Sequence, residues 1–436
     1  MNAPVNRSLP YRSVPLADSG PRVDGIRLLH RLAEISRIGA LPDGGITRTG
    51  LSAEEAAARA YLSECCRREG LAAGTDQAGN LVVRRRGVDP ARPVLLLGSH
   101  VDSVVRGGRL DGTYGVLAAC EVVRTLATRA AEFAYEPVAV AFSNEEGARF
   151  PLPFFGSLGL TGQLDAGFAA TVTDRDGVPL PDALRAGGGD LDTVHAAAWR
   201  TGMIAGYLEL HIEQGPVLED RDIPIGVVEA ITGRTIAEIT VHGEQGHAGT
   251  TPMDMRRDAL VAAAQAVLAV RRLATSKGLC AVSTVGCLDG EPNVTNVIPG
   301  TVRLTAEMRD GRTERLRAAE RALVAELAAL GAATDTRIDV TLRPVTRPTG
   351  TDGRLREAVA TAADRLGLPY LEMFSGAGHD AQIVAEAAPI GMIFVPSHNG
   401  LSHTPLEHTE DAALIAGADT LLHAVLELVN EPGMPR

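Results

Sequence analysis

Seven side chains, His100, Asp102, Asp111, Glu145, Glu146, His211 and His403, are of the types that hold metal ions and move protons. Most of them close or follow apolar runs: VLLLGSH ends at His100, VAVAFSNEE runs from Val138 to Glu146, and YLELHIEQG carries His211. Imidazole nitrogen combined with carboxylate oxygen is a borderline donor set suited to Zn, Mn, Co or Ni. The set is larger than one tetrahedral structural zinc requires, so two divalent ions bridged by one carboxylate are the economical arrangement. Such a pair lowers the pKa of water towards neutrality and so makes a nucleophile available at neutral pH. Asp102, two residues past His100, can take the proton of the other ring nitrogen and fix the tautomer. Of the adjacent Glu145 and Glu146, one can coordinate while the other serves as general base.

Taken singly, each of these residues has a plainer reading. A histidine at a strand end is most often a hydrogen-bonded structural residue, and Asp111–Gly112 reads as an ordinary turn. The case rests on their joint occurrence at the ends of successive strands. In an open α/β sheet the ligand crevice lies outside the carboxyl ends of the strands.

The elements that must position these residues follow from the pattern. Ser52 and Glu55 form the signature of a capping box for a helix reaching about Arg68, with Tyr61, Leu62 and Cys65 on its apolar side. Tyr114 to Arg129 reads as the helix crossing between the His100 and Glu145 strands. After about Ile231 the pattern changes to TIAEITVHGE, a helix from about Met255 to Ala274, CAVSTVGCL, TVRLTAEMR, a helix from Thr313 stopped by Gly331, and TRIDVTLRP. That strand, helix, strand, strand, helix, strand order is a small α+β unit inserted into an α/β domain. The α/β pattern returns with a helix near Leu355 to Leu366 and the strand GMIFVPS. The expected divisions are an N-terminal arm at 1–22, a first domain at 23–231 and 346–436, and an insert at 232–345.

Composition narrows the function further. The chain has 436 residues, 45% hydrophobic and 22% charged, with 54 acidic against 42 basic residues and a formal charge of −12. A disordered chain is excluded, and the length exceeds one ordinary core. No basic run is longer than Arg84 to Arg86, which argues against nucleic acid or an anionic membrane as partner. Only 3% of the residues are aromatic, too few for a base-stacking platform. Five cysteines without a paired motif read as reduced thiols. The polar, proline-bearing start is unlike a signal peptide, so the expected location is the cytoplasm and the Asn293–Val294–Thr295 sequon is inert.

Longer strings identify a resemblance. GSHVDSVVRGGRLDGTYGV, FSNEEGARF, GSLGLTG, LELHIEQGPVLE, GEQGHAGTTPMDMRRDAL, TNVIPG and GLSHTPLEHT occur in this order. They resemble the bimetallic amidohydrolases that include N-carbamoyl-L-amino-acid hydrolase, β-ureidopropionase and allantoate amidohydrolase, which share an M20-type metallopeptidase fold. The resemblance runs from about residue 25 to about residue 430. It implies a mixed-sheet α/β catalytic domain and an inserted ferredoxin-like α+β domain that mediates a homodimer. It also implies two divalent ions per subunit, with His100, Asp111 and His211 on one, Asp111, Glu146 and His403 on the other, Asp111 bridging and Glu145 as base. His247 of GHAGTTPM is then an oxyanion donor reaching the partner's site. Asn296 and Arg309 match holders of the substrate carboxylate, a role for which a guanidinium fork suits better than an ammonium. Gln214 matches an amide contact. Ser375 and Gly376 of SGAGHDAQ line the substrate site, and His379 is placed as a supporting donor. The implied substrate is a small ureido carboxylate, with an N-carbamoyl-L-amino acid first, allantoate, ureidoglycolate or an N-carbamoyl-β-amino acid next, and exopeptidase or aminoacylase chemistry as the rival class. A binding protein that kept the fold without turnover is the non-enzymatic alternative.

Overall fold

The computed structural model describes residues 20–129 and 132–429. The expected arm at 1–22 therefore falls almost wholly outside the described residues. Two compact units divide the chain: Met1–Glu229 with Thr351–Met373 and Gly378–Arg436, and Ala230–Gly350 with Phe374–Ala377.

The first unit opens with α1 (Gly25–Ile35), whose cap Asp24 accepts the Arg27 N–H. Ser52 caps α2 (Ala53–Arg68) by accepting the Glu55 N–H. The expected capping box is only half made. The Glu55 carboxylate accepts instead from the N–H groups of Leu51 and Asn144, because a fully buried acid needs several donors around it. Leu62 faces inward as expected, but Cys66 rather than Cys65 is the fully buried thiol of this helix.

The chain continues through β1 (Leu71–Thr75), β2 (Leu81–Arg85), β3 (Val94–His100), α3 (Thr113–Ala127) and β4 (Glu136–Phe142). Three short helices, α4 (Phe155–Leu160), α5 (Ala166–Ala169) and α6 (Leu180–Ala186), lead to β5 (Ile204–Ile212), α7 (Val217–Asp220) and β6 (Ile225–Ile231). The second unit holds β7 (Gly233–His242), β8 (Gly246–His247), α8 (Ala259–Ala274), β9 (Val282–Glu291), β10 (Val297–Ile298), β11 (Thr301–Asp310), α9 (Thr313–Thr334), β12 (Arg337–Thr346) and β13 (Thr349–Gly350). After it come α10 (Gly353–Arg365), β14 (Tyr370–Ser375), α11 (Asp380–Val384), β15 (Ile390–Val395) and α12 (Asp411–Leu428).

The sheet of the first unit runs in the order β1-β2-β4-β3-β5-β15-β6. Its centre is parallel, since β3 pairs in parallel with β4 and β5, and β15 with β5. These four strands are buried along their whole length, which is why they read as unbroken apolar runs rather than alternating ones. Leu28, Leu62, Leu117, Val359 and Leu421 from the helices pack with Leu95, Leu97, Leu208 and Ile393 from the strands in one apolar cluster. Parallel strands place all their carboxyl ends at one edge, and that edge receives the polar residues.

The second unit is a four-stranded antiparallel sheet in the order β12-β7-β11-β9, the ferredoxin-like arrangement. Along β7, Ala237, Ile239 and Val241 face a core shared with Ala263 and Val270 of α8 and Leu323 and Leu327 of α9. Two expected boundaries shift. Asp258 caps α8, so this helix starts at Ala259, and Met253–Met255 is a separate 3-10 turn. Gly331 does not stop α9, which continues to Thr334 and ends at Asp335 in the left-handed conformation.

One close approach fixes α3 against the sheet. A Cβ at Gly115 would stand 2.1 Å from the Leu210 carbonyl oxygen of β5. Gly115→Ala is expected to cost about 1–3 kcal/mol of stability through overpacking. Denaturant unfolding measures it, and an unchanged midpoint would show that α3 can shift freely.

Candidate active site

His100 is the last residue of β3, His211 the penultimate residue of β5, Glu145 and Glu146 stand in the turn after β4, and His403 lies in the loop after β15. Asp111 comes immediately before Gly112, the cap of α3. The structure brings all six together. Asp111 Oδ1 lies 3.6 Å from His100 Nε2 and 3.1 Å from His211 Nε2. Asp111 Oδ2 lies 3.0 Å from His403 Nε2, and Glu146 Oε1 is 3.4 Å from that same nitrogen. The donor atoms of His100, Asp111 and His211 fall within 4.8 Å of one another, as do those of Asp111, Glu146 and His403. Asp111 belongs to both groups and offers a different oxygen to each. A third group, Glu209, His211 and His379, shares His211.

The ring orientations suit ligands. His100 Nδ1 is 3.0 Å from the Asp102 carbonyl oxygen, and His211 Nδ1 is 2.8 Å from that of Ile212. A carbonyl only accepts, so each Nδ1 carries a hydrogen and each Nε2 is the nitrogen that faces the centre. The Gly112 nitrogen lies 3.1 Å from His211 Nε2. Gly112 itself has φ of +62°, and a Cβ there would lie 2.4 Å from His100 Nε2. What read as an ordinary Asp–Gly turn is thus a position where a side chain would occupy the site.

Charge supports the same fit. Burial opposes the imidazolium form of His100, yet Glu145, Asp102 and Asp111 raise its pKa well above the ordinary value. Burial also opposes ionisation of Asp111, yet bonds from His100, His211 and His403 hold it well below the usual carboxylate range. His403 is pushed up to about 10, chiefly by Asp111 and Glu146. His403 is half-exposed, whereas Asp111, His100, His211 and Glu145 are buried, and so acid-rich a buried floor calls for positive charge beside it. Glu146 Oε1 is buried and has no hydrogen-bond partner. The donor set and this orphaned oxygen fit divalent cations.

Asp102 is fully buried. Its carboxylate accepts from the N–H groups of Glu145 at 3.0 Å and Glu146 at 3.1 Å, while its Oδ1 stays 3.5 Å from His100 Nδ1. The closest support for the His100 ring therefore comes from the backbone oxygen of Asp102, and its carboxylate aligns the acidic pair. Burial, reinforced by Glu146, Asp380 and Asp102, raises the Glu145 carboxyl well above its ordinary value against the pull of His100. Glu145 Oε2 lies 3.8 Å from His100 Nε2. His379 packs edge-on to His211 at 4.7 Å between ring centroids. Burial and the His211 charge hold it well below its ordinary pKa, hence neutral.

Gln214 has φ of +58° and points its Nε2 at Asp111 Oδ2, 2.8 Å away. Its Oε1 is buried with no hydrogen-bond partner. Sequence reasoning missed Ser402 and Glu407, although both lie inside GLSHTPLEHT. Glu407 Oε1 accepts from the N–H groups of Leu110 at 2.7 Å and Asp111 at 3.1 Å, and Ser402 Oγ is 2.8 Å from Glu407 Oε2 and 3.1 Å from Asp111 Oδ2. Neighbourhood within a motif was the only signal for them, because the partners are nearly 300 residues away in sequence.

The remaining expected residues belong to the second unit. His247 is exposed on β8, directly opposite Val297 of β10, and the Asn296 carbonyl accepts the Ala248 N–H at 3.0 Å. His247 Nδ1 accepts from the N–H groups of Gly249 at 3.0 Å and Thr250 at 3.2 Å, so the proton sits on Nε2 as an outward donor. Arg309, on β11, donates from Nη1 to the Gly376 carbonyl at 2.6 Å and from Nε to Glu307. Ser375 Oγ donates to the Ala377 carbonyl at 3.0 Å.

A mixed sheet whose parallel centre carries at its carboxyl edge two His/carboxylate groups sharing one Asp, joined to a ferredoxin-like insert, defines a class of hydrolase scaffold. The model of peptidase family M20/M25/M40 matches residues 96–427, and the chain belongs to that family. It is 37% identical over 408 residues to N-carbamoyl-L-amino acid amidohydrolase of Geobacillus stearothermophilus, covering 94% of this chain and 99% of that one. It is 36% identical over 394 residues to allantoate amidohydrolase of Escherichia coli strain K12, covering 90% and 95%. The crystal structure of an amidase of the hydantoinase/carbamoylase family from Burkholderia multivorans superposes with a TM-score of 0.85 at 36% identity, covering 94% and 99%. Among the described residues no helix is long and apolar enough to cross a membrane.

Glu407→Ala leaves two buried N–H groups unpaired and is expected to lower stability by about 1–3 kcal/mol. Glu407→Gln keeps an acceptor for them and should lose less. Equal losses in thermal unfolding would show that the charge, not the acceptor, matters.

Proposed function

We propose that this enzyme hydrolyses the linear C–N bond of an N-carbamoyl-L-amino acid, giving the free amino acid, carbon dioxide and ammonia. The observation that carries the reading is Asp111, whose two oxygens face two separate ligand groups in a chain similar at more than 90% coverage to a named N-carbamoyl-L-amino acid amidohydrolase. Allantoate is the second reading, favoured by the comparable identity to allantoate amidohydrolase.

In this reading His100, Asp111 and His211 would hold one divalent ion, and Asp111, Glu146 and His403 a second, as Zn, Mn, Co or Ni. Such ions would acidify water and polarise the ureido oxygen. Asn296 and Arg309 take the substrate carboxylate, with Ser375 and Gly376 beside them and Gln214 on the amide. Glu145, buried and raised in pKa, accepts a proton from the attacking water and returns it to the departing nitrogen. His247 of the partner subunit donates its Nε2 proton in a hydrogen bond to the oxygen on which negative charge develops. The C–N bond breaks to release the amine, and the carbamate decomposes to carbon dioxide and ammonia.

The homodimer rests on the second unit. Leu260, Val261 and Leu268 of α8 are 42%, 52% and 53% exposed, and Val282 and Leu288 of the edge strand β9 are 54% and 49% exposed. Apolar residues concentrated on a helix and a free sheet edge suit burial against a second copy. The cytoplasm is the proposed location.

Ammonia release from a panel of N-carbamoyl-L-amino acids, allantoate, ureidoglycolate, N-carbamoyl-β-alanine, N-acetyl amino acids and dipeptides tests the substrate. A preference for allantoate over every carbamoyl amino acid would replace the first choice. Glu145→Gln should keep its metal, measured by elemental analysis, yet lose roughly 100- to 10,000-fold in kcat; retained turnover would place the base elsewhere. Mixing inactive His247→Ala and Glu145→Gln subunits should restore part of the activity. No recovery after proven subunit exchange would count against sites shared across the dimer.

A further inference from the structure

Arg48, in the GITRTG segment before α2, has no role in the reading above, yet it is among the most buried side chains of the first unit, with 1% exposure. No carboxylate pairs with it at ion-pair distance among the described residues. Its guanidinium is spread over four oxygens. Nη1 donates to the Ile35 and Ile38 carbonyls, both at 3.1 Å, Nε to the Val101 carbonyl at 2.6 Å, and Nη2 to Thr113 Oγ1 at 2.8 Å.

These partners have a definite layout. Ile35 closes α1 and Ile38 follows it by three residues, beside the negative end of the helix dipole, a suitable seat for a buried cation. Val101 follows His100, and Thr113 follows Asp111 by two residues. One planar fork, seated on a helix end, therefore grips both ends of the segment 101–113. The backbone around Arg48 reinforces the grip. Ile46 and Gly107 exchange N–H to carbonyl bonds at 2.9 and 2.8 Å, Ser103 N–H donates to the Arg48 carbonyl at 2.9 Å, and the Arg48 N–H donates to Ser103 Oγ at 3.0 Å. Burial lowers the Arg48 pKa only to about 10, so it is charged at neutral pH.

We propose that Arg48 is a positioning residue for the metal centre: its guanidinium braces both ends of the 101–113 loop and thereby holds His100 and Asp111 at ligand spacing. The inference rests on the reading of these residues as metal ligands. The fork is the essential feature. Lysine retains the charge but cannot reach carbonyls on two sides and a hydroxyl on a third. If Arg48 acted through charge alone, its loss would tighten the binding of a divalent cation. If it acts as a brace, loss of the fork weakens binding even when the charge stays.

The test measures Zn2+ affinity by competition with a chelating dye for wild type, Arg48→Lys and Thr113→Val, together with the melting temperature of the chelator-stripped proteins and the kinetics of the Zn-saturated ones. Thr113→Val leaves Arg48 in place and removes one acceptor, so it decides the matter should Arg48→Lys fail to fold. Expected is a roughly 10- to 100-fold loss of Zn2+ affinity in Arg48→Lys, the range seen for groups that orient ligands, a smaller loss in Thr113→Val, and KM near the wild-type value at saturating Zn2+. Wild-type uptake of Zn2+ with unchanged affinity in the folded variants, even with lowered melting temperatures, overturns the brace alone and makes Arg48 a stability residue. A wild-type chain that takes up no Zn2+ removes the ligand reading and this inference with it.

Discussion

The carboxylate of Asp111 faces imidazoles on both sides, and much of the first unit is arranged to keep it there. One oxygen meets His100 and His211, and the other meets His403. A buried anion in that position is tolerable only with compensating charge close by. Protonated imidazoles can supply it, and so can the cations that the ring orientations suit. The parallel strands bring His100 and His211 to one edge, and the loops after β4 and β15 complete the ring. Neither group of three exists without this convergence.

Around that carboxylate stands a second layer of backbone-directed bonds. Glu407 gathers the N–H groups of Leu110 and Asp111, Asp102 gathers those of Glu145 and Glu146, and Glu55 gathers those of Leu51 and Asn144. Each is a buried acid spending its acceptors on loop amides. This solves two problems at once: the loops are fixed without regular structure, and the acids are not left unsatisfied. Arg48 is the complementary case, a buried base whose donors serve loop and helix-end carbonyls.

The two units divide the candidate chemistry. The ligand-type residues, Glu145, Gln214 and His379 belong to the first. His247, Asn296, Arg309, Ser375 and Gly376 belong to the second, and Phe374–Ala377 is a short excursion of the chain back into it. In that unit the His247 tautomer is set locally by two backbone N–H groups, whereas Arg309 is already engaged by Glu307 and the Gly376 carbonyl.

The amino-acid order alone determined the central strands, the helices between them, the βαββαβ order of the insert and the identity of the residues at the strand ends. Those features depend on hydrophobic period and on local caps, which neighbouring residues encode. It could not reveal that Glu55 abandons its capping box for Asn144, that α9 runs through Gly331, or that Asp102 supports His100 through its backbone oxygen while its carboxylate serves the acidic pair. Glu407 was equally silent, lying in a motif whose other members drew the attention, and so was Arg48, in a segment that offered no candidate residue. Tertiary structure alone decided these matters, because a buried charged group takes whichever donors or acceptors the fold brings within about 3 Å, and those come from segments far apart along the chain.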